Sequence, residues 1–388
     1  VGALVLSTVG ICHAAGQARV DIVYLRLNIA HPVPSAMLDP PPAETGLPGA
    51  KLAVEDTNTT GRFTGQSTTL HVLDDAKPDA LVKRFADSLA SGSRLFVADL
   101  PPGLLLRLAD TKGADQAIIL DATSADDALR GADCRANLLH ILPSRAMLAD
   151  GLMQYLVTKG WRQIMLLTGR TPADAQYAAA IRNAAEKFQV SIAADRPWTF
   201  NPAAQQADTG HYQVNDEVVK ATQGVEYDVL VVADEENAFG DALAYRTAAA
   251  RPVAGTQGLV PAAWAASMDE FASTQLQLRF RHENGHAMTV ADYGGWLAVR
   301  AIGEAATRTG SAEAAKIIAY LHGPDFTLSG YKGPEFSFRP WDGQLRQPVL
   351  LATDRSLVSV SPQPGFLHEN NELDSLGPDA PETQCHLH

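Results

Sequence analysis

Three consecutive carboxylates, Asp234, Glu235 and Glu236, follow directly on the apolar run Val229–Ala233, and Phe239-Gly240 then turns the chain. A β-branched run of this length reads as a strand buried on both faces. In open α/β sheets, ligands bind in the crevice beyond the carboxyl ends of the strands. The pattern recurs earlier: Arg94–Ala98 runs into Asp99, and Gln116–Leu120 runs into Asp121-Ala122-Thr123. If these strand ends face one another, Asp99, Asp121 and Thr123 from one half meet Asp234, Glu235 and Glu236 from the other. Asp39 and Glu44 could reach the same place on the Pro-rich stretch Asn28–Gly46. Several carboxylates without Cys, and without paired His, form the donor set of a hard cation with many ligands. Asp and Glu also cap helices and solvate loops, so for each residue taken singly the structural reading competes with the functional one.

Other constellations carry less. His282-Glu283-Asn284-Gly285-His286 has the outline of a zinc motif, but Asn-Gly breaks a helix, so a surface loop is expected. Met147, Met153, Trp264 and Trp341 fit core positions, and Arg339 and Arg346 fit surface pairing. No nucleophile elbow, phosphate-binding loop or dinucleotide fingerprint is present. No enzymatic activity is expected, although a hydrolase remains an alternative that turnover of ester substrates would revive.

The elements that position these residues alternate. Val20–Leu25, Thr68–Leu73, Arg94–Ala98 and Gln116–Leu120 read as strands, with helices at Gly49–Asn58, Asp79–Leu89 and Gly103–Thr111 and a turn at Thr59–Arg62. The alternation starts again with a helix capped by Ser144, the strand Gln163–Leu167, the helix Ala173–Phe188 and the strands Val190–Ala194 and Val229–Ala233. Trp198–Val214 reads as an elaborated loop. Thr289 with Asp292 three residues on is a capping box opening a helix to Thr309, and Asp342-Gly343 signals a hairpin. Beyond Pro362 the tail is expected to lie over the surface. This is an α/β chain of two doubly wound Rossmann-like lobes around a cleft, a shape suited to catching a small ligand by closure.

The chain has 388 residues and a formal charge of −13, which argues against nucleic acid as a partner. Val1–Ile11 and the small residues up to Ala18 look like the end of a secretory signal peptide begun upstream, so residues 1–18 are expected to be cleaved and the rest exported to the periplasm. No other segment approaches the ~18 apolar residues of a membrane span. The remaining cysteines, Cys134 and Cys385, are most simply a disulfide in an oxidising compartment.

Gly49–Gln66 resembles the first helix, turn and strand of type I periplasmic substrate-binding proteins of ABC importers, and Tyr331–Leu351 resembles their C-terminal Gly-strand-Asp-Gly-strand element. Asp133–Leu152, Val232–Gly240, Arg251–Trp264, Ala306–Ala314 and Leu357–Gly377 together resemble the subfamily associated with pyrroloquinoline-quinone-dependent alcohol dehydrogenase systems. The resemblance implies a first lobe of about 19–142 plus 250–325 and a second of about 143–249 plus 326–388. It implies a monomer that delivers a small ligand to an ABC transporter permease. In amino-acid-binding relatives, hydroxyls and backbone amides at first-lobe strand ends grip the ligand carboxylate. Here Asp99 and Asp121 stand near those places, with Thr123 the one hydroxyl kept, and would repel it. Because some quinone dehydrogenases of this kind use calcium or a lanthanide, a lanthanide or its chelate is a candidate cargo. The alternative is a periplasmic sensor or accessory factor for a quinoprotein dehydrogenase.

Overall fold

A computed structural model describes residues 18–28, 42–199 and 210–387. Strand β1 (Ala18–Leu27) is followed by α1 (Leu47–Thr64), β2 (Gln66–Asp75), α2 (Pro78–Ala90), β3 (Leu95–Asp99), α3 (Pro102–Ala109), β4 (Ile118–Asp121) and β5 (Leu138–His140). The five strands form one parallel sheet in the order β2-β1-β3-β4-β5. Alternation along β1 shows why the sheet is covered on both sides. Val20, Ile22 and Tyr24 enter one apolar cluster, whereas Val23 and Leu25 enter another with α2 and α3.

The second half runs α4 (Arg145–Thr158), β6 (Gln163–Thr168), α5 (Pro172–Lys187), β7 (Ser191–Pro197), α6 (Gly210–Thr222), β8 (Val229–Ala233) and β9 (Val253–Gly255). Its parallel sheet has the order β7-β6-β8-β9. In β8, Val229, Val231 and Ala233 face the cluster around α4 and α5, and Leu230 and Val232 face the opposite one. Strand β10 (Val260–Ala262) and helices α7 (Ser273–Asn284), α8 (Val290–Thr309) and α9 (Ala314–Leu321) follow. Then come β11 (Leu328–Ser329), β12 (Glu335–Phe336), β13 (Val349–Ala352) and β14 (Leu357–Ser361). The two-lobed α/β architecture is therefore the one expected. Among the described residues no helix is long and apolar enough to cross a membrane.

The divisions between lobes differ from expectation. Strand β9 pairs with β8, and β10 pairs with β13, which packs in the second-lobe core. Residues from Ala263 through Leu345, including Phe336, contribute to the first-lobe core instead. The crossings therefore lie at about 141–145, 262–264 and 345–349, not at 250 and 325. Helix α1 likewise runs through the expected turn at Thr59–Arg62. Gly61 is buried so close to β2 that a Cβ would lie 2.3 Å from Gln66 O, and the helix stops at Gly65 in the left-handed region. The tail does not simply coat the surface either: Leu373 and Leu376 are buried.

The three crossings are tied at one buried point. Lys332 Nζ donates to Ala263 O on the second crossing (2.8 Å) and to Gln347 Oε1 (2.8 Å) and Pro348 O (2.7 Å) on the third. Gln347 Nε2 donates to Ile141 O on the first. Lys332 is 2% exposed and packs against the Tyr293 and Phe336 rings at 5.4 and 5.3 Å. Burial pulls its pKa well below the ordinary lysine value, while three oxygens hold the ammonium, since a neutral amine has only two N–H groups to offer. Replacing Lys332 by Met keeps the stem but strands three acceptors. The expected loss is about 3 kcal/mol in urea unfolding, and a loss below about 1 kcal/mol would show that water or rearrangement satisfies them.

Candidate functional site

Each sheet has one place where chain order reverses: between β1 and β3 in the first lobe and between β6 and β8 in the second. The crevice beyond the carboxyl ends of those strands is the binding position of an open α/β sheet. Arg26, next to last in β1, pairs with Asp99 at the end of β3, and Thr168 and Asp234 stand at the second.

At the first switch point Asp99 accepts a hydrogen bond from Thr123 Oγ1 at 2.9 Å and a long one from Tyr24 Oη at 3.5 Å. Burial raises its pKa, against the stabilising Thr123 hydroxyl and the nearby Arg26 charge. Gly46 closes over this group with φ 79°. A Cβ there would lie 2.7 Å from Tyr24 Oη and 2.8 Å from Asp99 Oδ2. The capping box of α8 fixes Gly46, because Asp292 bonds Thr289 N through Oδ2 (3.0 Å) and Gly46 N through Oδ1 (2.8 Å). Arg26 donates to Glu44 (2.7 Å) and Asp74 (2.8 Å). Its Nε, and Thr168 Oγ1 at the second-lobe switch point, are buried without a partner among the described residues. Arg26, Tyr24, Gly46 and Thr168 were not singled out from sequence, although Arg26 and Thr168 each follow an apolar strand run, the signal that marked Asp99.

The other carboxylates have different work. Asp121 is wholly buried: Oδ1 accepts from Ser124 N at 2.9 Å and Thr123 N at 3.3 Å, and Oδ2 lies 2.9 Å from His140 Nδ1. It shapes the loop that carries Thr123 and has no surface left for a ligand. Arg130, also buried, spans Ser124 O, Asp126 O, Leu142 O and Gln344 Oε1. Asp234 is 1% exposed and accepts from Ala238 N, Phe239 N and Gly240 N at 2.9, 2.8 and 2.7 Å, so it caps its own turn. Glu235 makes a two-pronged pair with Arg145 at 2.7 and 2.6 Å. Glu236 is exposed, Glu44 pairs with Arg26, and Asp39 lies outside the described residues.

Asp99 and Thr123 are thus brought together, whereas Asp121, Asp234 and Glu235 are each committed elsewhere. Among the described residues no three of the His, Cys, Asp and Glu side chains gather as a metal site, which corrects the expectation that Asp99, Asp121, Asp234 and Glu235 share one cation. His286 lies beyond the left-handed Gly285 that ends α7, so it shares no helix face with His282. The disulfide Cys134–Cys385 is present, with a Cα–Cα distance of 5.6 Å.

The lobes meet beside the site. Asp127 Oδ1 accepts from Ala146 N at the start of α4 (2.9 Å), and Gln176 Nε2 on α5 donates to Asp126 Oδ2 (3.1 Å). In the second-lobe core Trp198 stacks on Phe239 at 4.5 Å.

Residues 40–211 match the family model described as periplasmic binding protein. Among solved structures, the fold is similar to a periplasmic binding protein from Burkholderia mallei (TM-score 0.66, 15% identity, covering 96% of this chain and 100% of that one). It is also similar to an amino acid ABC transporter substrate-binding protein from Pseudomonas fluorescens (0.66, 16%, 95% and 99%). A third is the closed leucine-, isoleucine-, valine-, threonine- and alanine-binding protein from Brucella ovis (0.63, 14%, 89% and 92%). At these identities the likeness shows the fold. No curated protein matches the chain.

His140 supplies a pH test of the loop beneath Thr123. Burial, with Arg130 adding, pushes its pKa from 6.5 down to about 4, against Asp121 and Leu129 O, which favour the protonated ring. A pKa depressed on folding contributes stability above the unfolded value that is lost as pH falls. Wild type should therefore lose up to roughly 3 kcal/mol relative to His140→Asn between pH 6.5 and 4. Parallel urea-unfolding curves across that range would mean that the ring is already charged in the folded protein.

Proposed function

We propose that this chain is the solute-binding component of an ABC importer, exported to the periplasm, which closes two lobes on a small polar ligand and presents it to a permease. Support comes from the family match over 40–211, the two-lobed fold, and an ABC transporter substrate-binding protein and an amino-acid-binding protein among its structural likenesses. One observation supports the ligand reading: the Asp99–Thr123 pair sits at the first-lobe switch point, and the second-lobe switch point carries the unpartnered Thr168 hydroxyl. An ionised Asp99 favours a donor or positive charge from the ligand, and Thr168 can take either role. An amino acid or related amine presenting its ammonium group to Asp99 satisfies both lobes. Closure is favoured to the extent that the ligand touches both.

A lanthanide or calcium ion, the cargo that the strand-end carboxylates alone suggested, finds no three-donor group among the described residues, so the organic ligand is the better supported. The segments resembling the quinone-dependent alcohol dehydrogenase subfamily support an importer that serves alcohol oxidation.

Calorimetry on ligand-stripped protein against the twenty common amino acids, small amines and lanthanum chloride tests this reading. An organic cation or zwitterion should bind, and Asp99→Asn should weaken it about tenfold or more with little change in thermal midpoint. Binding of lanthanum alone, or indifference of the affinity to Asp99→Asn, would contradict it.

A further inference from the structure

The C-terminal segment touches both lobes through buried hydrogen bonds and is then covalently bonded to the first. On the second lobe, Leu376 is buried in the core around α4 and β13. Gly377 N donates to Asp150 Oδ2 at 2.8 Å, and Gly377 O accepts from Lys187 Nζ at 3.0 Å. His368 Nε2 lies 3.0 Å from Asp379 Oδ2, holding the next turn. After Asp379 comes Ala380–Gln384, and then Cys385, whose sulfur is bonded to Cys134 of the first lobe. Cys134 belongs to a segment fixed to the first lobe: Arg135 Nε donates to Asp110 Oδ1 (2.7 Å), and Asn137 Nδ2 donates to Ala109 O and Ala114 O (3.0 Å each).

The three crossings are peptide connections that meet at Lys332 and Gln347. The disulfide makes a fourth covalent connection between the lobes and closes a ring, from Cys134 to Cys385, that contains all three crossings. Its free span is short, because six residue steps reach at most ~20 Å when fully extended. Arg339, on the first-lobe hairpin, holds the start of the same segment through Asp374 Oδ1 (2.9 Å), Leu373 O (3.1 Å) and Leu376 O (2.7 Å).

We propose that Ala380–Gln384, closed by Cys134–Cys385, is a strap that limits how far the two lobes rotate relative to each other. Cutting it leaves both lobe cores, all three crossings and the Arg339 contacts in place, so the range of motion should widen by what the covalent span alone withholds while the fold persists. This rests on the lobes moving as the solute-binding reading requires, but not on the identity of the ligand.

Small-angle scattering of the ligand-free mature protein tests it without any ligand. Two variants are compared with wild type: Cys134→Ser with Cys385→Ser, which cuts the strap, and an insertion of six Gly/Ser residues between Ala380 and Pro381, which lengthens it and keeps the disulfide. The strap predicts a broader distance distribution and a larger radius of gyration in both variants, with circular dichroism unchanged. Profiles superimposable on wild type, with at most a lower thermal midpoint, would reduce the disulfide to a plain stabilising cross-link. If ligand binding is never found but the variants still expand, the strap stands and the ligand reading falls.

Discussion

A lysine buried with no carboxylate beside it among the described residues ties the crossings between the lobes together. Moving a charge from water into a protein interior costs several kcal/mol even after relaxation, so Lys332 is tolerable only because its surroundings replace the lost hydration. Two backbone carbonyls and one side-chain oxygen accept its three N–H groups, and two aromatic faces flank it. Those oxygens belong to separate crossings between the lobes, so the energetic demand of one ammonium becomes a geometric constraint on all of them. Gln347 extends the constraint to the remaining crossing through Ile141 O.

A second polar group connects these crossings to the cleft. Gln344, beside the third crossing, donates to Leu142 O (3.0 Å) and Leu345 O (3.0 Å) and accepts from Arg130 Nε (2.8 Å). Arg130 in turn fixes Ser124 O, next to Thr123, and Thr123 bonds Asp99. From the crossings to Asp99 the path runs through buried and part-buried hydrogen bonds joined by the Thr123-Ser124 peptide, each of which restrains its neighbour. Asp121 and His140 belong to this support. At the first-lobe switch point the Asp99–Thr123 pair is thus held from beneath, and the second-lobe switch point carries the Thr168 hydroxyl.

Much of this was legible in the sequence, for local reasons. The β-branched runs became strands because their alternating side chains find a core on each face, as in β1 and β8. Ser144 and the Thr289–Asp292 box became helix caps because a cap is decided within four residues. What was not legible is long-range. Lys332 is 69 residues from Ala263, and Gln347 is 206 from Ile141, so nothing near either residue announces a hinge. The carboxylates show the limit most clearly. Asp99, Asp121 and Asp234 look alike as polar residues after an apolar strand, yet one borders the cleft, one is sealed beneath a loop and one caps its own turn. Their difference lies in partners from other segments and in the turn that follows each strand.

Backbone hydrogen exchange of the ligand-free protein, followed by mass spectrometry at 138–145, 260–266 and 344–349, tests the shared hinge most directly. One buried hub predicts that all three segments exchange as slowly as β3 and β8, and that they open together under increasing denaturant. Exchange of any one segment at the rate of a surface loop, independently of the other two, would contradict it.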